Sequence, residues 1–348
     1  MNLAPIILFV YNRPWHTKKT LESLMKNELS NESTLYVYCD GPKDEVTDDE
    51  LKQIILTQKI LLEKKWCRRV IINKSDKNLG LAASIISGVT DVINKHENII
   101  VLEDDMVLSP YFLKFMNEAL EYYKNNDKVW HISGWNYPIS DEGLGDVFLW
   151  RVMNCSGGWA TWNDKWKYFE KDSEKLISEF TFEDVYKFNL EGNYDFWNQI
   201  LGNYRGRMNT WAIFWYSNIF VNNGLCVNST KTFVSNIGFD GSGVHCGDED
   251  KYESEISFSS EYLFINSGYE NKRAVSRIKK FYSVQNENNY KTKIEHEHQY
   301  YLDMCFTYLD KRKYNLMQKF VIKAFILFPF KNIHLKLNLL LHPYKFWK

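Results

Sequence analysis

Val101-Leu102-Glu103-Asp104-Asp105-Met106 places three adjacent carboxylates at the end of an apolar run. Neighbouring carboxylates repel and raise one another's pKa unless a cation or hydrogen-bond donors meet them. A hard divalent ion, Mg²⁺ or Mn²⁺, would meet them through one or two carboxylates and draw its other ligands from water and a diphosphate. A solvated acidic turn is the alternative reading of the same triplet. A second candidate is Phe239-Asp240-Gly241-Ser242-Gly243-Val244-His245. Its glycines let backbone approach a ligand closely, and His245 beyond them is placed to join the metal or touch a diphosphate. A surface hairpin with a solvated His is the plainer alternative.

The elements that must position these groups read as an alternation. Strands are expected at Ile6–Tyr11, Leu35–Cys39, Arg69–Asn73 and Ile99–Leu102, with helical spacing over Trp15–Met25, Asp49–Lys64, Leu81–Lys95 and Tyr111–Tyr123. Strands alternating with helices of 10–15 residues indicate β-α-β units on a mainly parallel sheet. Ligands of such sheets bind beyond the carboxyl ends of the strands, where Asn12, Asp40 and Glu103–Asp105 all fall. From His131 to Cys246 the texture turns Gly- and Trp-rich, as a second lobe would. The expected division is 1–130 as a nucleotide-binding-type half, 131–265 as a second lobe that supplies the other wall of a cleft, and 266–348 as a helical extension.

Composition narrows the function. The chain has 348 residues, 43 Lys plus Arg against 44 Asp plus Glu, and a net charge of −1, which excludes a uniformly basic nucleic-acid binder. A hydrophobic fraction of 45% excludes wholesale disorder. The six Cys form no C-x-x-C pair, so reduced thiols are expected. The start lacks a basic leader and no run reaches the ~18 apolar residues that span a bilayer, so a cytoplasmic protein is expected. Neither a P-loop nor a G-x-S-x-G elbow is present.

Phe9-Val10-Tyr11-Asn12-Arg13-Pro14, Asp40-Gly41, Asn78-Leu79-Gly80-Leu81 and Leu102-Glu103-Asp104-Asp105 follow one another in an order and spacing that resembles glycosyltransferases of GT-A fold. More narrowly, the chain is similar to bacterial family 2-type sugar transferases and the related N-acetylglucosaminyltransferase I group. Ser133-Gly134-Trp135-Asn136, Trp150-Arg151 and Gly157-Gly158-Trp159 extend the match, which covers roughly residues 5–246. The resemblance implies a Rossmann-like, mainly parallel α/β sheet flanked by helices, with an acceptor-side lobe and a helical tail. It implies Asp105 as the protein ligand of Mn²⁺ or Mg²⁺, and Glu103 and Asp104 facing the donor sugar and ribose. Arg13 and Asp40 would sit by the nucleotide, with Tyr11, Asn78 and Gly80 in the same motifs completing the donor side. The donor would be a nucleotide diphosphate sugar, UDP-sugars favoured, and the transferred group GlcNAc or another hexose. The acceptor would be a lipid-linked or other glycan in surface polysaccharide assembly. Asp40 as a plain turn initiator and Arg13 as a surface charge are the alternatives.

The resemblance breaks at one point. Related inverting enzymes carry a general-base Asp directly after a Trp, whereas the matching stretch here, Trp211-Ala212-Ile213-Phe214-Trp215, has Ala212. Asp195, between Tyr194 and Phe196-Trp197, is the candidate base, because burial among aromatic flanks would raise its pKa to a useful value. Asp240 and the Asp248/Glu249 pair are rivals. Trp135 and Trp159 are candidate walls of an acceptor site, with plain core as the alternative. His296 and His298 read as a solvated helix face. A sugar-phosphate nucleotidyltransferase and a non-catalytic glycan- or nucleotide-binding protein are the alternative functions.

The carboxyl-terminal stretch stands apart. Lys311 to Lys348 holds nine basic residues and no acidic one, and removing these nine leaves 34 basic against 44 acidic residues, a net of −10 for residues 1–310. Basic residues interleaved with Phe320, Ile322, Phe325 and Ile326 read as amphipathic segments lying on an anionic membrane surface, which would hold the protein at the inner face of the plasma membrane. Segments packed on the catalytic domain, with the lysines as its solvated face, are the alternative.

Overall fold

The computed structural model describes residues 3–155, 157–238, 240–241, 252, 254–285, 292–329, 331, 335–336 and 339–340. The first half alternates β1 (Ile6–Val10), α1 (Pro14–Met25), β2 (Thr34–Cys39), α2 (Asp48–Ile60), β3 (Arg69–Lys74), α3 (Leu81–Ile93) and β4 (Asn98–Glu103). It continues with β5 (Met106–Leu108), α4 (Phe112–Tyr123), β6 (Val129–Ser133), β7 (Val147–Trp150), β8 (Trp159–Trp162) and α5 (Asn163–Trp166). Then come α6 (Ser173–Glu179), α7 (Phe182–Phe188), α8 (Trp197–Arg205), α9 (Ala212–Val221), β9 (Leu225–Ser229) and β10 (Val234–Asn236). The last helices are α10 (Lys272–Gln285), α11 (Lys293–Asp310) and α12 (Tyr314–Leu327).

β1 is buried throughout and β4 over its four apolar residues, as strands covered on both faces require. Pro14 starts α1, where its missing N–H costs nothing. A Thr47–Glu50 capping box starts α2. On α3 the buried Ala82, Ile85, Val89 and Val92 form one apolar stripe against the sheet.

Eight strands form one sheet in the order β3-β2-β1-β4-β8-β6-β9-β7. Four of its pairings are parallel (β1 with β2, β1 with β4, β2 with β3, β6 with β9), which makes the sheet mainly parallel. The fold is thus α/β, with the sheet flanked by helices and further helices at the carboxyl end, as expected. The crossovers from β1 lead first to β2 and β3 on one side, and the chain then returns to place β4 on the other. The strand order therefore diverges between β1 and β4, the position where open sheets bind ligands. A second sheet of two strands pairs β5 with β10, Asn236 opposite Met106.

Two compact units divide the chain at other places than the sequence suggested. One comprises Met1–Glu170 and Phe214–Ile278 and holds both sheets; the other comprises Lys171–Ile213 and Lys279–Lys348 and is helical. Sequence texture missed this because α6, α7 and α8 interrupt the Trp-rich segment, and their apolar stripes look like those of the sheet's own helices.

In the helical unit, α12 lies on α11 and buries Met317, Val321 and Ala324. His298 on α11 is 2% exposed, edge-on to Phe328, and so is not on a solvated face. No helix among the described residues is long and apolar enough to cross a membrane.

Candidate active site

Glu103 ends β4 beside Phe9 of β1, and the chain turns through Asp104 and Asp105 into β5. Arg13 follows β1 directly and reaches across the divergence point. Its Nη2 donates to Asp104 Oδ1 and, over 2.9 Å, to Asp105 Oδ2. The side chains of Asp104 and Asp105 are 7% and 11% exposed, so little water shares the work of solvating them. Burial, together with Asp105 and Asp104, pushes the Glu103 carboxyl up to about 8. Burial also lifts Asp104 to about 6, against the pull of Arg13. Burial would lower the Arg13 pKa, but the two carboxylates outweigh it and hold the guanidinium firmly charged.

Two further groups fix the turn. Thr20 on α1 is buried, and its Oγ1 donates to Asp104 O over 2.8 Å and accepts from Met106 N over 3.0 Å. From the other side, the β5–β10 pairing delivers the segment after Asn236. Ile237 N donates to Asp105 O over 2.8 Å. A Cβ at Gly238 would stand 2.3 Å from Asp105 Oδ2, so only glycine lets the backbone approach this closely. Asp240 follows, its Oδ2 3.0 Å from His16 Nε2 on the first turn of α1. His16 contributes to the potential felt by Asp104. Arg13, His16, Thr17 and Thr20 recur at helical spacing, which puts them on one side of α1. That spacing was the signal in the sequence for His16 and Thr20, which motif reading passed over.

A second group lies at the carboxyl end of β2. Asp40 Oδ1 accepts from Gly41 N (3.0 Å) and Leu79 N (2.8 Å), and Oδ2 accepts from Gly80 N (2.9 Å). Asn78 Nδ2 donates to Gly41 O over 3.0 Å. The Asp-Gly and Asn-Leu-Gly motifs therefore interlock two loops. Tyr11 is beside them, its hydroxyl pKa raised by burial and by Glu50 and Asp40. The structure thus brings Tyr11, Arg13, Asp40, Asn78, Gly80 and Glu103–Asp105 to the carboxyl ends of β1, β2 and β4.

The other expected residues fall elsewhere. Asp195 is exposed in the helical unit, where its Oδ1 accepts from Asn189 Nδ2 (3.1 Å) and Asn198 N (3.2 Å) at the start of α8. The burial that its aromatic neighbours implied is absent, because Phe188 and Trp197 turn inward and leave the carboxylate at the helix entry. Trp135 and Trp159 are 3% and 1% exposed, which makes them core and not walls of a pocket. Gly158, at φ +67°, explains part of that motif: a Cβ there would stand 2.8 Å from the Phe112 ring. Ala212 opens α9. His245, Asp248 and Glu249 lie outside the described residues.

Among the described residues, no three His, Cys, Asp or Glu side chains converge to hold a metal by themselves. The turn nonetheless fits a divalent ion of the Mg²⁺ kind, which needs only one or two carboxylates. Burial first, and then the neighbouring carboxylates, raise Glu103 and Asp104, and a cation beside them would offset both.

No protein-family model and no curated sequence matches the chain. Among solved structures, S. aureus TarS is similar over 99% of this chain and 89% of its own, at 12% identity and a TM-score of 0.42. The galactosyltransferase LgtC, solved with donor and acceptor sugar analogues, is similar over 62% of this chain and 70% of its own (10% identity, TM-score 0.32). A cytidylyltransferase from Leptospira borgpetersenii is similar over 51% of this chain and 65% of its own, at 12% identity and a TM-score of 0.29. This chain thus spans just under two thirds of that enzyme's length. At such values the sheet order and the side chains, not the neighbours, define the fold and the site.

Proposed function

We propose that the protein is a metal-dependent glycosyltransferase of GT-A fold that moves a hexosyl group from a nucleotide diphosphate sugar to a glycan acceptor. The observation that carries this reading is the Arg13–Asp104–Asp105 cluster at the point where the strand order diverges, with Asp40 and Tyr11 one strand away. A nucleotide lies across that point in open α/β sheets.

In this reading Tyr11, Asp40 and the Asn78–Gly80 loop form the nucleoside side, and Glu103 and Asp104 face the sugar and ribose. Asp105 and Asp104 would hold Mn²⁺ or Mg²⁺, which supplies positive charge to the diphosphate. The acceptor hydroxyl gives its proton to a carboxylate, and its oxygen bonds to the anomeric carbon. The bond from that carbon to the diphosphate oxygen breaks, and its electron pair leaves with the diphosphate. Arg13 offsets the charge that develops there. We assign the proton acceptor to Asp240 in preference to Asp195, because Asp240 is held by His16 beside the acidic turn. UDP-sugars are the favoured donors, and a lipid-linked glycan of a surface polysaccharide is the favoured acceptor.

The test is turnover of a panel of nucleotide sugars with Mn²⁺ and an acceptor extract. Release of nucleoside diphosphate together with a glycosylated product is expected. Pyrophosphate release from a nucleoside triphosphate and a sugar phosphate, or no turnover of any nucleotide sugar, would overturn the reading.

A further inference from the structure

The carboxyl-terminal basic residues are not one continuous charged face. Lys336 is fully buried and its Nζ donates to Ala324 O over 2.9 Å, where it caps the end of α12. Lys313 pairs with Glu174, and Lys331 lies 3.8 Å from Glu295. Lys345 and Lys348 lie outside the described residues. Of the nine, Lys336 is thus structural, Lys345 and Lys348 lie outside the described residues, and Lys313 and Lys331 are ion-paired.

What remains on α12 is more specific. Leu316 is 37%, Ile322 50% and Ile326 71% exposed, and Lys319 and Lys323 are exposed among them. At ~100° per residue these five positions span about a third of the helix circumference, opposite the buried Met317, Val321 and Ala324. The Lys323 ammonium lies over the Tyr301 and Phe320 rings, 5.3 and 5.6 Å from their centroids, without leaving the surface. Three large aliphatic side chains exposed on one solvent face cost free energy in water, which burial against a partner would recover. A second copy of the chain is a poor occupant, because a two-fold contact would set Lys319 and Lys323 against their own images. An anionic bilayer surface suits both halves of the pattern: its acyl boundary takes the aliphatic side chains and its headgroups take the lysines.

We propose that the solvent face of α12, formed by Leu316, Lys319, Ile322, Lys323 and Ile326, docks on an anionic membrane surface with the helix lying in its plane. This holds whether or not the catalytic reading does, since lipid binding needs no nucleotide sugar.

Co-sedimentation of the full chain with phosphatidylcholine vesicles, and with vesicles that also contain phosphatidylglycerol, tests it. Binding to the anionic vesicles alone, weakened by salt, is expected. Lys319→Gln/Lys323→Gln should lower the partition about 30-fold, at ~1 kcal/mol for each lysine near the surface. Ile322→Ser/Ile326→Ser should abolish it. Both pairs are exposed, so unchanged helical circular dichroism and melting show that the fold is intact. Equal partition of wild type and both variants would overturn the proposal. So would self-association that the isoleucine variant removes, with no vesicle binding by the wild type.

Discussion

At the carboxyl ends of β1 and β4, the Arg13 guanidinium bonds two of three adjacent carboxylates; around β6, β7 and β9, several buried polar groups are matched by neutral or oppositely charged partners. His131 is fully buried, and Trp215 Nε1 donates to its Nδ1 over 3.3 Å while its Nε2 lies 3.0 Å from Asn154 O. This arrangement fixes the neutral tautomer with the proton on Nε2. Trp150 Nε1 donates to Asn228 Oδ1 over 2.9 Å, and Asn228 Nδ2 donates to Trp135 O over 3.1 Å. Arg151 meets Glu270 over 3.2 Å. Both regions bury polar groups in one sheet. The matched set specifies the fold; the unmatched set holds charge that a ligand can complete.

Substitution of the acidic turn should separate the two most sharply. Asp105→Ala should lower transfer by at least ~10²–10³-fold, the scale for losing one charge-stabilising contact. Its melting temperature should hold or rise, because one of three crowded carboxylates is gone and no core cavity opens. Arg13→Ala should instead destabilise by ~3–5 kcal/mol, the cost of stranding buried charges. Activity assays alongside thermal melts check both, and a large loss of stability in Asp105→Ala would break the contrast.

Proton transfer comes next in size. Asp240→Asn should lower kcat by ~10²-fold or more, as removal of a general base does, with nucleotide binding retained. His16→Ala should act through Asp240 and reduce kcat less. Asp195→Asn should leave kcat near wild type and cost up to ~1 kcal/mol of stability at the start of α8. Wild-type-like rates in Asp240→Asn and a collapse in Asp195→Asn would reverse the assignment.

The matched region should respond to acid. Burial lowers the His131 pKa to about 4 from 6.5, so the folded state binds its proton less readily than the unfolded chain. Its contribution is full above the unfolded pKa and is lost as pH falls from 6.5 toward 4. Melting temperature measured across that window should drop in the wild type. His131→Leu should start lower and fall less steeply; parallel curves would show that another group controls acid stability. Thr20→Val, which removes both hydrogen bonds that brace the turn while keeping its shape, should cost ~1–3 kcal/mol in a thermal or denaturant melt.

Much of this contrast could be read before the structure. The β-α-β alternation was legible because β1 and β4 are unbroken apolar runs and α1 to α3 carry helical spacing between them; the Pro14 start and the Thr47–Glu50 box came with the structure. The position of the acidic turn was legible because three charges directly after such a run must fall at the strand's carboxyl end. Trp135 and Trp159 were harder. A tryptophan beside glycines looks the same whether the glycines open a pocket or, as Gly158 does against Phe112, let the core close. The burial expected of Asp195 was absent for a related reason: aromatic neighbours in sequence do not bury a residue whose own side chain accepts from the helix entry. Asp240 and His16 are 224 residues apart, and the β5–β10 pairing brings their segments together.

In the proposed reaction the turn after β4 binds a nucleoside diphosphate through a divalent cation. Calorimetric titration of the purified full-length protein with UDP, with Mn²⁺ and then with a chelator, tests it most directly against Asp105→Ala. Binding in Mn²⁺ that disappears with the chelator and in the variant is the expected result. Equal binding of UDP by both proteins with the metal removed would contradict the account.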